Sequence, residues 1–409
     1  MSGVRRLALG AGFLAVCVGG AGGASATPAA RPLQLSTVLP AWLAPGAPLR
    51  VSGWAGSGET VRLVANGRTL ATARSGRLGR FLLRAPAPRR FGRYSLALRA
   101  GDRRADVGRL VVRPVVLAAV GDVNLGDRVG EAIRSYGSGY PWSGVAALLT
   151  EADISIANLE CAISARGSAI PGKHYTFRGA PSSLPAAARA GLDVVTVANN
   201  HSLDFGSDAF ADTLRFARRA GLATIGGGTL ATARRPLVVH AGGLRIALLG
   251  YSDVRPLGFD ATATHSGTLK ADPLVIASDV SLARRRSDAV VVYFHWGEEL
   301  HRSPSARQRS LAAVALGAGA TVVLGAHPHV LQPVERRGRT LVAWSLGNFV
   351  FSASSAGTSA TGVLLVGLER RGVRWSELIP AHIANARPTP DPARARGALK
   401  RLRAARATA

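Results

Sequence analysis

VVLAAVGDVN, residues 115–124, sets an apolar run against a glycine, an aspartate and an asparagine. A run this short, rich in valine and broken at Gly121, reads as a buried strand whose far end carries Asp122 and Asn124. The same figure recurs along the chain. DISIA (153–157) runs into Asn158, Leu159 and Glu160, and DVVTVA (193–198) into Asn199, Asn200 and His201, with Asp204 just beyond. DAVVVYF (288–294) ends at His295, TVVLGA (321–326) at His327 and His329, and LVAWSLG (341–347) at Asn348. Between them lie helical stretches. Ser207-Asp208 can cap ADTLRFARRA before Gly221, and Ser303-Pro304 can open SARQRSLAAVALGAG. Apolar strands alternating with helices predict an α/β layered domain.

Sites in such folds lie beyond the carboxyl ends of the strands, where loops converge over a rigid frame. Taken singly, each polar residue has a plain structural role. Asp122 can be an N-cap, Asn199-Asn200 a turn, His295 a packed core histidine and Glu160 a surface carboxylate. Six strands that each deliver Asp, Asn, Glu or His to one edge form a constellation. Oxygen and imidazole donors without thiolates suit Mn, Fe or Zn. A carboxylate shared between two ions would make the clamp used in phosphate-ester hydrolysis. In His327-Pro328-His329 the proline bars a helix and holds two potential imidazole ligands close together.

The 409 residues suffice for two domains, and a hydrophobic fraction of 47% excludes global disorder. The net charge of +27 is uneven: residues 31–113 carry 16 Lys/Arg against 3 Asp/Glu, and 387–409 carry 7 against 1. Such an excess attracts polyanions. It is also almost all arginine, Lys173, Lys270 and Lys400 being the lysines, and it comes with abundant Ala and Gly, as composition bias would produce. No nucleic-acid motif accompanies it, so nucleic acid is not an expected partner. At the N-terminus Arg5-Arg6, an apolar core and Ala24-Ser25-Ala26 read as a secretory signal over 1–26, which predicts a secreted or extracytoplasmic cell-envelope protein. Leu14-Ala15-Val16-Cys17 is a poor lipobox, so lipid anchoring at Cys17 is the lesser expectation. Cleavage after Ala26 leaves Cys161 alone, without a disulfide partner and expected as a buried apolar residue.

Residues 32–113 read as short strands and turns, including a hairpin at Asn66-Gly67. They predict a small β-sandwich resembling bacterial immunoglobulin-like modules, with Trp54 and Tyr94 in its core and a spacer or wall-binding role. The α/β domain spans 114–385. Residues 386–409 form a basic Pro/Arg/Ala-rich tail, expected as a linker followed by a basic helix or a disordered end.

GDVNLGD, NLECAIS, KHYTFRGAP, VANNHSLDFG, YFHWGEEL, GAHPHVLQPVE and SLGNFVF, in this order over about 115–355, resemble the CapA family, associated with capsule and poly-γ-glutamate synthesis. That family is related to calcineurin-like metallophosphoesterases, which implies a four-layer αββα sandwich. The resemblance implies Asp122 as the opening metal ligand, with Asn124 where those enzymes usually have a histidine. Glu160 takes the place of the bridging aspartate, and Asn158 is the lesser candidate for it. Asn200, His295, His327 and His329 match the remaining ligands of a divalent pair. His201 matches the residue that stabilises or protonates the departing group, and Asp204 would orient it. Lys173 and Arg178 of KHYTFRGAP would clamp an anionic substrate. His174, His240, His265, His301 and His382 read as structural or surface residues.

Two functions follow. One is an exported metal-dependent phosphoesterase-like hydrolase acting on cell-envelope material. The other is a non-catalytic polyanion-binding scaffold for synthesis, export or anchoring of an anionic capsule polymer. The partners implied are an anionic envelope polymer or phosphoester substrate and membrane-bound polymer synthase proteins.

Overall fold

The computed structural model describes residues 32–407. The expected signal segment and Cys17 lie outside the described residues. The chain forms two compact units that divide between Arg113 and Pro114.

In the first unit Gln34–Leu35, Pro48–Trp54 and Arg80–Pro86 make a three-stranded sheet. Trp42–Leu43, Arg103–Val112, Gly92–Ala100, Thr60–Ala65 and Arg68–Arg74, in that order, make a five-stranded one. Burial alternates along Arg80–Pro86, as strands with one core face require. The hairpin turn falls at Asn66 and Gly67, both at positive φ (45° and 82°). The expected aromatic core does not form. Trp54 is half-buried with the Arg80 guanidinium over its ring, and the Tyr94 hydroxyl donates to the Arg90 carbonyl near the surface. Leu49, Val51, Leu63, Phe81, Leu83, Leu96 and Leu98 fill the interior instead.

The second unit is built on two sheets. In the larger, Ala223–Ile225, Val194–Thr196, Ile154–Leu159 and Val115–Val123 run parallel, followed by antiparallel Ala360–Glu369, Gly372–Ala384 and Arg387–Pro390. Asn348–Val350 also pairs with Val115–Val123. In the six-stranded sheet Leu244–Ser252, Ala289–His295, Val322–Ala326 and Thr340–Ala343 run parallel, with antiparallel strands at both edges. Val115–Val123 and Ala289–His295 are buried at every residue, because both faces of each sheet are covered. One face of the larger sheet packs on helices, which include Gly206–Ala220. One face of the smaller packs on Pro273–Arg286 and Ala306–Gly317. The remaining faces meet each other: the Tyr293 hydroxyl donates to the Val120 carbonyl at 2.7 Å, and a Cβ on Gly250 would come within 2.6 Å of Thr196 Oγ1.

The helix starts differ slightly from expectation. Gly206–Ala220 begins behind Phe205 without a side-chain cap, although it ends on Gly221 at φ 86° as expected. Ala306–Gly317 is opened by Ser305 in a capping box with Gln308, one turn-forming pair later than Ser303-Pro304. The segment expected as a linker is structured, and of the two forms expected for the residues after it the basic helix is the one that forms. Arg387–Pro390 is an edge strand, and Pro392–Ala407 is a helix that sets Ala398 and Leu402 into the core beside the larger sheet. Arg403 and Arg406 pair with Glu151. The prolines stand at an edge and at a helix start, where a missing N–H is tolerated.

Candidate metal centre

The carboxyl ends of the parallel strands bring Asp122, Glu160, Asn200, His295, His327 and His329 together. Gly121 sets the approach: a Cβ there would lie 1.8 Å from the Gly347 carbonyl oxygen, so only glycine lets Asp122 N–H donate to that oxygen at 2.9 Å. Asp122 is fully buried and accepts from the Asn158 amide at 2.8 Å and from the His327 backbone N–H at 3.2 Å. The second of these bonds fastens the His327-Pro328-His329 turn. Both histidines sit at positive φ (94° and 57°), a conformation that costs free energy and persists where surroundings enforce it. The Leu300 N–H donates to the Pro328 carbonyl at 2.8 Å and holds the turn from its other side.

Three donor groups result, each with its ligand atoms within 4.8 Å of one another: Glu160, His295 and His327; Asp122, Glu160 and His329; Glu299, His327 and His329. Glu160 belongs to the first two, the place from which a carboxylate could bridge two ions. Glu160 Oε1 and His327 Nδ1 are buried with no hydrogen-bond partner. The nearest imidazole nitrogen to that oxygen, His295 Nε2, is 3.5 Å away and makes no hydrogen bond with it. Unpaired buried polar atoms are costly. Their position among oxygen and imidazole donors fits a divalent cation.

The electrostatics point the same way. Burial opposes charge on Asp122, yet the His329 imidazole and the Asn158 amide hold it below the usual carboxylate range. Glu160 goes the other way, since burial and then the Asp122 charge push it well above that range. Burial drives His295 well below the ordinary imidazole value and His327 down to about 3, so both are neutral and able to ligate. Burial also works against charge on His329, but Asp122 outweighs it and the net direction is upward.

Beside this cluster His201 Nδ1 lies 2.7 Å from Asp204 Oδ2, and its ring stacks on Phe177 with centroids 4.1 Å apart. Lys173, expected as an anion clamp, instead pairs with Asp204, donates to the Asn200 carbonyl and lies 3.2 Å from His201 Nδ1. Arg178, also expected as a clamp, donates to the Gly167 carbonyl at 2.7 Å and stacks over the Phe205 ring. Asn124 likewise turns away from the donor groups: its amide bonds Asp127 at 3.1 Å and accepts from Gly126 N–H at 2.8 Å. An asparagine immediately past a strand end relieves its own turn more readily than it replaces an imidazole.

Three participants escaped the sequence reading or were placed low in it. Asn158 is the organiser, bonding Asp122, approaching Glu160 Oε2 at 3.5 Å and His295 Nδ1 at 3.1 Å, and accepting from Asn199 at 3.0 Å. Asn348 meets His329 Nδ1 at 2.8 Å. Glu299, in the GEE of residues 297–299, carries no local signal that separates it from the neighbouring Glu298. Cys161 is buried beside the site with its thiol pushed up to about 12 by burial, so it is inert as a nucleophile.

Residues 116–353 match the bacterial capsule synthesis protein family PGA_cap. The chain belongs to that family. Relatives include the capsule biosynthesis protein CapA of Bacillus anthracis, 30% identical over 68% of this chain and 69% of the relative. The PGA biosynthesis protein CapA of Bacillus subtilis is 31% identical over 66% of this chain and 72% of its own length. Among solved structures, a 5'-nucleotidase precursor from Thermus thermophilus shares 15% identity at a TM-score of 0.39, over 70% of this chain and 58% of that one. The matched family span contains every residue of the three donor groups.

Proposed function

We propose that this chain is an exported, metal-dependent, phosphoesterase-like hydrolase working in capsular or cell-envelope polymer metabolism of the poly-γ-glutamate type. The observation that carries the reading is the pair of unpartnered buried atoms, Glu160 Oε1 and His327 Nδ1, facing into shared donor groups. A four-layer arrangement of two sheets between helices, as in metallophosphoesterases, supports it, and so does membership of a capsule-synthesis family.

Glu160, His295 and His327 would hold one ion and Asp122, Glu160 and His329 a second, with Glu299 reaching the His327 and His329 side. Bound divalent ions supply Lewis acidity toward phosphoryl oxygens. The remaining work falls to the chain. Asp122 and Asn158 fix the geometry of the floor. Asp204 commits His201 Nδ1, which leaves Nε2 as the nitrogen that exchanges a proton with a departing oxygen. Burial lowers the His201 pKa, Asp204 opposes this, and the Lys173 charge lowers it further. Lys173 therefore adds to the effect of burial in disfavouring the charged ring, against the pull of Asp204. Phe177 keeps the ring in plane and excludes water from one face.

Purified wild type loaded with Mn is expected to hydrolyse an aryl phosphate mono- or diester and to retain metal after dialysis. A protein that neither retains metal nor turns over any phosphoester would overturn the reading.

A further inference from the structure

The largest excess of positive charge in one unit lies outside the span matched to the family. Residues 32–113 hold 15 arginines against three acids, Glu59, Asp102 and Asp106. The register of the five-stranded sheet places Arg62 directly opposite Arg99, and Arg99 directly opposite Arg104. All three are exposed, whereas Val61, Leu63 and Leu98 on the same strands are buried, so the arginines share the outward face. Neighbouring strands lie about 4.8 Å apart, and like charges facing each other across that gap are destabilising.

The acids nearby form no ion pair with Arg62 or Arg99, although Asp106 neutralises Arg104 at the end of the row. Glu59 is taken by Arg103 and Asp106 by Arg104, the latter at 2.8 Å. Arg62 and Arg99 have no ion-pair partner among the described residues. Both line a depression of about 540 Å³, with Thr60, Gly101, Asp102 and the Glu59–Arg103 pair on its walls. Arg74 extends the row on the next strand: Thr72 faces Arg62, and Arg74 is exposed two residues further on.

We propose that this arginine row is a docking face for a linear polycarboxylate, whose successive carboxylates bridge Arg62 and Arg99 and relieve their mutual repulsion. A guanidinium presents a planar fork of donors that a carboxylate accepts in bidentate fashion. A polymer is favoured over a single anion because Arg62, Arg99 and Arg104 recur on three adjacent strands at one register, with Arg74 offset by two residues on a fourth. The inference does not rest on the metal centre: a His327→Ala chain is expected to bind as wild type does.

The test uses the full chain and fluorescently labelled poly-L-glutamate at low salt. Arg62→Ala/Arg99→Ala is expected to weaken binding by about tenfold or more, the scale of losing charge-assisted hydrogen bonds. Arg50→Ala/Arg84→Ala removes the same charge from another facing pair, on the three-stranded sheet, and is expected to stay within about twofold of wild type. Thermal melting checks that each variant folds. Should the alanine pair fail to fold, Arg62→Gln/Arg99→Gln takes its place in the same comparison. Equal losses for the two double variants, or no loss for either, would overturn the assignment in favour of diffuse charge attraction. Displacement of labelled polyglutamate by polyphosphate or DNA as readily as by unlabelled polyglutamate would overturn the polycarboxylate class.

Discussion

Asp204 and Glu160 are buried carboxylates at the ends of neighbouring strands, and they differ in how their oxygens are used. Asp204 commits both of its oxygens inside the chain, one to Lys173 and the other to His201 and the Phe177 N–H. Glu160 keeps Oε1 without a hydrogen-bond partner, and His327 keeps Nδ1 in the same state. A carboxylate that is already satisfied positions other groups. One left unsatisfied in a buried pocket is available to a group from outside the polypeptide. The pocket therefore divides into a complete part, which aims His201, and an incomplete part, which on the proposed function would take a cation.

Variants can break that division, and the largest effect belongs to the incomplete part. His327→Ala is expected to abolish both metal retention and phosphoester turnover, measured by elemental analysis and an aryl phosphate assay. In the complete part, His201→Ala is expected to lower kcat by about 10²–10⁴-fold, the range for a lost proton donor, with metal content unchanged. Metal loss in the second variant would erase the distinction between the parts. Asn348→Ala, which removes the partner of His329 Nδ1, is expected to weaken metal affinity by about 10–100-fold in a titration with Mn.

Smaller effects sharpen the comparison through charge. The Glu160 acid is raised by burial and by Asp122, so its native pKa exceeds the unfolded one. The native state then binds the proton more tightly, and stability is lost as pH rises through and above the ordinary carboxylate range. Glu160→Gln removes that loss. Metal-free variant is expected to melt higher than metal-free wild type at neutral pH, by about 2–4 °C for each 1 kcal/mol recovered, and to lose the metal-induced rise in Tm. In the complete part, burial lowers His201 and the Lys173 charge adds to it. Lys173→Met should therefore move the His201 limb of the pH–rate profile upward. The smallest effect is expected at Asn124, whose bonds serve its own turn: Asn124→Ala costs stability by about 1 kcal/mol and leaves metal affinity in place.

The strands and the polar residues at their ends were legible because a buried parallel strand is a short apolar run, and its loop begins where that run stops. Asp122, Glu160, Asn200, His295, His327 and His329 each follow such a run, and they converge because the strands of each sheet run parallel and the two sheets pack face to face. Side-chain direction beyond the strand end is a different matter. Nothing local distinguishes Asn124, which serves its own loop, from Asn158, which bonds across three strands. Lys173 carries the same charge whether it faces a substrate or Asp204, and only the packing of KHYTF against residues 200–204 decides between them. The C-terminal segment was misjudged for a related reason. Its prolines suggested a linker, but an edge strand and a helix start accept proline, and the apolar Ala398 and Leu402 are spaced for burial on one face.

An anomalous-difference map at the metal edge, from crystals of the full chain grown with Mn, is the most direct test. The account predicts a peak within about 2.0–2.3 Å of both Glu160 Oε1 and a His327 ring nitrogen, with His295 as a further ligand. Density for an ordinary water between those atoms, with no anomalous signal at saturating Mn, would contradict it.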